Sequence, residues 1–136
     1  MEAMKYMLLM NYAAGEGCDI PMGEWPPEDI KAHIDFQHRL NAELMASGEL
    51  IEAQGLSGPE AAKFVVSDGA TAPVVTDGPF PEYKELLAGY RLVDVESEDR
   101  AIEIAAQMSA APAAGGVPIR QPIEVRAVMG APTPDV

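Results

Sequence analysis

The sequence predicts an α+β domain in which two β–α–β halves share one antiparallel sheet. Three observations predict it. Two stretches with helical spacing, at residues 26–48 and 97–108, each lie between runs of β-forming residues. A further pair of β-like runs flanks the turn dipeptide Asp68-Gly69, between the two halves. The chain has 136 residues, 48% of them apolar, enough for one core that buries roughly two-thirds of the unfolded surface. One domain is expected over residues 1–129, with a loose tail at 130–136.

Lys5-Tyr6-Met7-Leu8-Leu9-Met10-Asn11-Tyr12 is almost continuously apolar, as in a strand covered on both faces. Residues 13–25, rich in Gly and acids, read as a loop. Pro26-Pro27-Glu28-Asp29 starts a helix, with proline in the first turn and acids at the positive end of the dipole. Ile30, Ile34, Phe36, Leu40 and Leu44 supply its apolar face, and Ser47-Gly48 ends it. Leu50–Leu56 reads as a strand, and residues 62–67 and 72–76 as a hairpin about Asp68-Gly69. Gly89–Val95 is another strand. Ser97 then caps a helix with Glu98 and Asp99 in its first turn and Ile102, Ala105 and Met108 in one stripe. An Ala/Gly/Pro loop over 109–118 leads to a last strand at 119–128, which Pro122 marks as an edge or a bulge.

This order is a ferredoxin-like βαβ-βαβ plan with an inserted hairpin. Both helices would cover one face of the sheet. The first strand is apolar on both sides, so the second face needs a cover, and a second copy of the chain supplies one. A homodimer is the expectation.

Nine basic residues against 22 acidic ones give a net charge of −13. Such a surface repels nucleic-acid phosphates and anionic membranes. No window approaches the ~20 apolar residues of a membrane span. The start of the chain lacks the basic segment and cleavage site of a signal peptide, and Cys18 is a single cysteine, so a reducing cytoplasm is the expected location. No ligand cluster for a metal, phosphate-binding loop, dinucleotide fingerprint or nucleophile elbow is present, so no cofactor is expected.

The densest chemistry lies in Thr76-Asp77-Gly78-Pro79-Phe80-Pro81-Glu82-Tyr83-Lys84-Glu85, between the β-like runs at 73–75 and 88–93. A connection of about ten residues exceeds the two to five of a plain hairpin, and loops of that kind carry sites. Asp77 is a candidate general base if an apolar cleft half-buries it, or else the acceptor of an Asx turn. Lys84 either binds an anionic substrate group or pairs with Glu82 or Glu85. Phe80 either lines the site or plugs the core. Tyr90 could donate its hydroxyl to a substrate oxygen, or be a packed tyrosine. Arg126 shares a strand face with Glu124 and Arg120 and must pair or be exposed; it serves a substrate anion or a carboxylate across the dimer. His33 and His38, five residues apart on a helix, point about 140° apart and cannot share a metal within one chain. His38 is the better acid/base candidate of the two.

Laid end to end, Lys5–Met10, Leu44–Ile51 around Gly48, Thr76–Phe80, Lys84-Glu85, Gly89-Tyr90 and Ile123-Glu124-Val125-Arg126 resemble the YCII-related family, and within it the DGPF-domain branch. The branch's signature usually continues Ala-Glu-Thr-Lys-Glu after the Phe; here it reads Pro81-Glu82-Tyr83-Lys84-Glu85. The resemblance implies a dimeric α+β barrel, two ferredoxin-like units packed sheet to sheet around a cleft, in a superfamily that includes muconolactone isomerases and related enzymes without cofactors. The YCII branch proper is linked to a His–Asp pair with the His on the first helix. Gln37 stands about where that His is expected. Branch members often occur beside, or fused to, extracytoplasmic-function sigma factors.

Two functions remain open from the sequence. One is a small cofactor-independent isomerase or lyase acting on a small organic acid, with Asp77 moving a proton and His38, Tyr90 or Lys84 assisting. The other is a non-catalytic binding or regulatory module with a protein partner, such as one in a sigma-factor circuit. A purely architectural role for the motif is the third reading. Convergence of Asp77, Tyr90 and Lys84 on one pocket would favour the enzyme.

Overall fold

The computed structural model of the chain describes residues 4–11, 22–77 and 87–130. They form β1 (Met4–Asn11), α1 (Pro27–Ala46), β2 (Leu50–Gly55), β3 (Lys63–Val66), β4 (Val74–Asp77), β5 (Leu87–Val95), α2 (Glu98–Ser109) and β6 (Ile123–Ala127). Four strands make one antiparallel sheet in the order β2-β5-β1-β6. Each β–α–β half thus holds a strand of the other half between its own two, which is the ferredoxin-like α+β arrangement. β3 and β4 pair only with each other.

α1 begins with Pro27 at its first position and Glu28 and Asp29 in its first turn. It ends in a Schellman pattern. Gly48 (φ 81°) donates to the Met45 carbonyl at 3.1 Å, and Glu49 donates to the Leu44 carbonyl at 2.9 Å. That turn delivers Glu49 to Arg100 on α2, where the two side chains form a double hydrogen bond of 2.8 and 2.9 Å. Leu40 and Leu44 are buried, and Phe36 and Ile30 partly so. Ile34, expected on the same face, is exposed, because it lies about 120° from Leu40 around the helix.

The Ser97 hydroxyl accepts from the Arg100 backbone N–H at 3.2 Å and caps α2. The buried stripe is Ala101, Ile104, Ala105 and Met108, an i, i+3, i+4, i+7 set. This corrects the expected stripe: Ile102 is exposed, one position round from Ala101, and Ile104 fills the core instead.

The main core joins these helix faces to Tyr6, Leu8, Val93 and Val95. A second, smaller core contains Trp25, Ala111, Ala113 and Ile119. Trp25, Ala111 and Ala113 fall where loops were expected, and Ile119 where the last strand was expected to begin. Trp25 is buried because small residues of the 111–119 segment leave room for its ring beside α1, and His33 meets it edge-on.

Two β boundaries also differ from expectation. β3 and β4 close over residues 67–73, not at a two-residue turn. Asp68 holds that wider loop by accepting from the N–H groups of Ala70 and Thr71, which keeps its carboxyl below the usual range. β6 begins only at Ile123, after Arg120 (φ 56°) and Pro122, and runs along the edge of the sheet. The runs at 73–75 and 88–93 belong to different sheets, so the segment between them does not close a hairpin. That segment, residues 78–86, lies outside the described residues, and so do Cys18 and the 131–136 tail.

Alternation along the strands gives the large sheet two unlike faces. The register places Tyr6, Leu8, Met10, Arg91, Val93, Ile123 and Val125 under the helices. Lys5, Met7, Leu9, Tyr90, Leu92, Asp94, Glu124 and Arg126 face the other way. On β2 the register shifts between Leu50 and Glu52, with Ile51 as the extra residue of a bulge. The shift lets Leu50 join the core while Glu52 and Gln54 stand on the open face.

Candidate functional site

The open face of the large sheet has an apolar floor and polar borders. Met7 and Leu9 of β1 and Leu92 of β5 are half-buried and form the floor. In one cross-strand row Glu52, Leu92, Met7 and Arg126 stand side by side; in the next come Gln54, Tyr90, Leu9 and Glu124. Tyr90 is half-buried near Glu52; burial first, and that carboxylate second, push its phenol above the ordinary range. The phenol is therefore protonated at neutral pH and available as a donor. Arg126 and Glu124 face each other at 3.8 Å along β6, a loose and exposed pair. Tyr90 on β5 and the Glu124–Arg126 pair on β6 flank β1, about 10 Å apart by strand spacing, and Glu52 on β2 stands one strand farther out.

Asp94 is on the same face, opposite Lys5. Its Oδ1 is buried and has no hydrogen-bond partner among the described residues. A buried carboxylate oxygen without a donor is costly, and a neighbouring surface that brings one would relieve it.

The residues proposed from the sequence do not gather at one place. Tyr90 and Arg126 share the open face. Asp77 ends β4 on the separate two-stranded sheet, where its side chain is 78% exposed and ion-paired with Lys63. The half-buried setting expected for a general base is absent there. His38 is on the exposed side of α1. Lys84 and Phe80 lie outside the described residues. Arg126 has the in-strand Glu124 as neighbour, while Arg120 lies before β6 in a left-handed conformation and not on the strand.

A second polar group was missed by sequence reasoning. On the helix-covered side, Arg91 is 2% exposed and bonded to Asn41 and Gln37 of α1. Gln37 reaches on to His33, whose other ring nitrogen meets the Pro112 carbonyl at 2.9 Å. A carbonyl only accepts, so His33 Nδ1 carries the hydrogen and Nε2 accepts from the Gln37 amide. His33 is thus a half-buried link between α1 and the 111–119 segment. Its signal was present in the sequence: His33, Gln37 and Asn41 recur every four residues on one helix face, and Arg91 interrupts an apolar strand.

A family model of the YCII-related domain matches residues 4–126. The chain belongs to the YCII-related family. No curated protein matches it. The match spans the whole βαβ-βαβ unit and the inserted hairpin, so this YCII-related domain includes both the open face and the Arg91 group. About where a histidine is expected from the YCII branch proper, Gln37 holds Arg91 instead. Among the described residues no group of three His, Cys, Asp or Glu side chains could hold a metal, and no helix is long and apolar enough to cross a membrane.

Proposed function

We propose that this YCII-related protein is a DGPF-branch, cofactor-independent acid–base enzyme of the cytoplasm that acts on a small organic acid as a sheet-to-sheet homodimer. The observation that carries this reading is the open face: an apolar floor of Met7, Leu9 and Leu92 between the Tyr90–Glu52 pair and Arg126–Glu124. The borders are spaced for one small planar molecule. Arg126 would pair with its carboxylate, and Tyr90 would donate to an oxygen that gains charge during the reaction. Glu52 takes the base role first sought in Asp77, because it lies beside Tyr90 whereas Asp77 is on another sheet. It would remove a proton from carbon and return it at a neighbouring position. The unpartnered Asp94 oxygen and the half-buried apolar floor support cover by a second copy.

The test is a panel of small carboxylic acids screened by ligand-observed NMR against the wild-type chain, Tyr90→Phe and Arg126→Leu. Binding to the wild type that weakens about tenfold or more in Arg126→Leu supports the reading. A panel that never binds, or binds all three chains alike, overturns it.

The module reading is favoured by a different observation. Val65, Val66, Val74 and Val75 are each largely exposed on the hairpin, on both of its faces. Such a surface fits a protein partner. Co-purification from the native host that is lost in a Val65→Glu, Val75→Glu variant would favour it over the enzyme.

A further inference from the structure

Among the described residues, Arg91 has a buried charge without a counter-charge. It sits on β5 between Tyr90 and Leu92, which face away from the helices, and its own side chain runs beneath α1. Nε donates to Asn41 Oδ1 at 2.8 Å, and Nη2 donates to Gln37 Oε1 at 2.7 Å and to the Gln37 carbonyl at 3.4 Å. Gln37 and Asn41 are one turn apart. Two neutral amide oxygens therefore occupy the guanidinium edge where a bidentate carboxylate would set its own two. Among the described residues no Asp or Glu comes within ion-pairing distance of Arg91, and its Nη1 donates to no described group.

Retaining such a group is expensive. An apolar side chain of similar volume is usually the more stable occupant of a buried site, and removing only the partner of a buried charge is strongly destabilising. The effect of burial is visible in the guanidinium, which is pushed down to about 10 yet remains charged at neutral pH. The Gln37 amide cannot turn to relieve it, because its NH2 is committed to His33. The Asn41 amide likewise offers its oxygen to Arg91.

We propose that Arg91 anchors a buried anion site between α1 and the sheet, with Nη1 as the open donor, which takes the carboxylate of a small acid. The charge balance favours a monoanion such as a carboxylate. One guanidinium neutralises one negative charge, whereas a phosphate dianion would leave a net negative charge with no second cation among Gln37, Asn41 and His33. This site is on the opposite face from Tyr90 and Arg126 and stands whether or not the open face binds a substrate.

The experiment is thermal unfolding of the full chain during titration with sodium acetate, with ionic strength held constant by sodium chloride. Wild type should show a saturable rise in Tm specific to acetate, because a ligand bound only to the folded state stabilises it by mass action. Arg91→Met removes the charge at similar volume and should abolish the rise. Gln37→Glu keeps Arg91 and supplies an internal carboxylate; its apparent acetate affinity should fall about tenfold or more. A wild type that responds equally to chloride and acetate overturns the site. So does an acetate response undiminished in Arg91→Met or, if that variant does not fold, undiminished in Gln37→Glu.

Discussion

Alternate residues of the same strands build both faces of the large sheet, yet the faces differ in how completely they are finished. Under the helices, Leu8 and Val93 are fully buried among Leu44 and Ile104, and Arg91 is clamped there by two amides. On the other side, Met7, Leu9 and Leu92 are only half-covered, and charged groups stand in loose or missing pairs. The difference teaches that the helix-covered face supplies most of the fold's packing, while the open face contributes little of it.

The sharpest way to break this comparison is to truncate adjacent residues of β1. Leu8→Ala should cost about 2–5 kcal/mol in chemical denaturation, as for a fully buried leucine whose cavity cannot collapse. Leu9→Ala should cost well under half of that in a dilute sample. Equal losses would mean that the open face is as well packed as the core.

Next in size is Leu9→Glu, which leaves the core untouched and places a charge on the apolar floor. Light scattering should show the wild type as a dimer and this variant as a monomer with unchanged far-UV circular dichroism. A wild type that is already monomeric at micromolar concentration removes the second copy from the account.

A smaller effect is expected at the link between the two helices. Arg100 hydrogen-bonds Glu49 and holds its carboxyl below the ordinary glutamate range. A lowered folded-state pKa means stability that is present above the unfolded value and lost as pH falls through the folded one. Glu49→Gln should therefore cost about 1 kcal/mol at neutral pH and flatten the stability curve below about pH 4.5. An unchanged acid limb would show that other carboxylates control it.

The smallest change is predicted for Asp77→Asn. Its partner Lys63 is exposed and the pair sits on the separate hairpin, so stability should move by no more than about 0.5 kcal/mol. A large loss would tie the hairpin to the main core after all.

Much of the fold was legible because local chemistry and global position agree. Pro27, Gly48 and Ser97 mark helix ends by backbone geometry that no tertiary contact needs to supply. The helix stripes were less legible, since Ile34 and Ile102 are apolar yet exposed, and only packing decides which neighbour is chosen. Trp25 was hidden for a similar reason: the small residues that receive it are more than eighty positions away in the chain. The candidate site was legible in part. Tyr90 and Arg126 share a face as strand alternation requires, but the separation of Asp77 from them depends on which strands pair, and spacing alone does not encode that. Arg91 went unread because an arginine in a strand is ordinarily paired with an acid, and its partners here are amides on a helix fifty residues earlier.

The bulge at Ile51 has a consequence for the length of the chain. Leu50 opposes Val93 and Glu52 opposes Leu92, so Ile51 is surplus to the ladder. Removing that one residue would heal the strand and leave Leu50 in the core and Glu52 beside Tyr90. Deleting Glu52 instead would still close the ladder, with Ile51 moved into its place and the phenol left without its carboxylate. Two neighbouring single-residue deletions in one strand would thus separate what the fold needs from what the open face does.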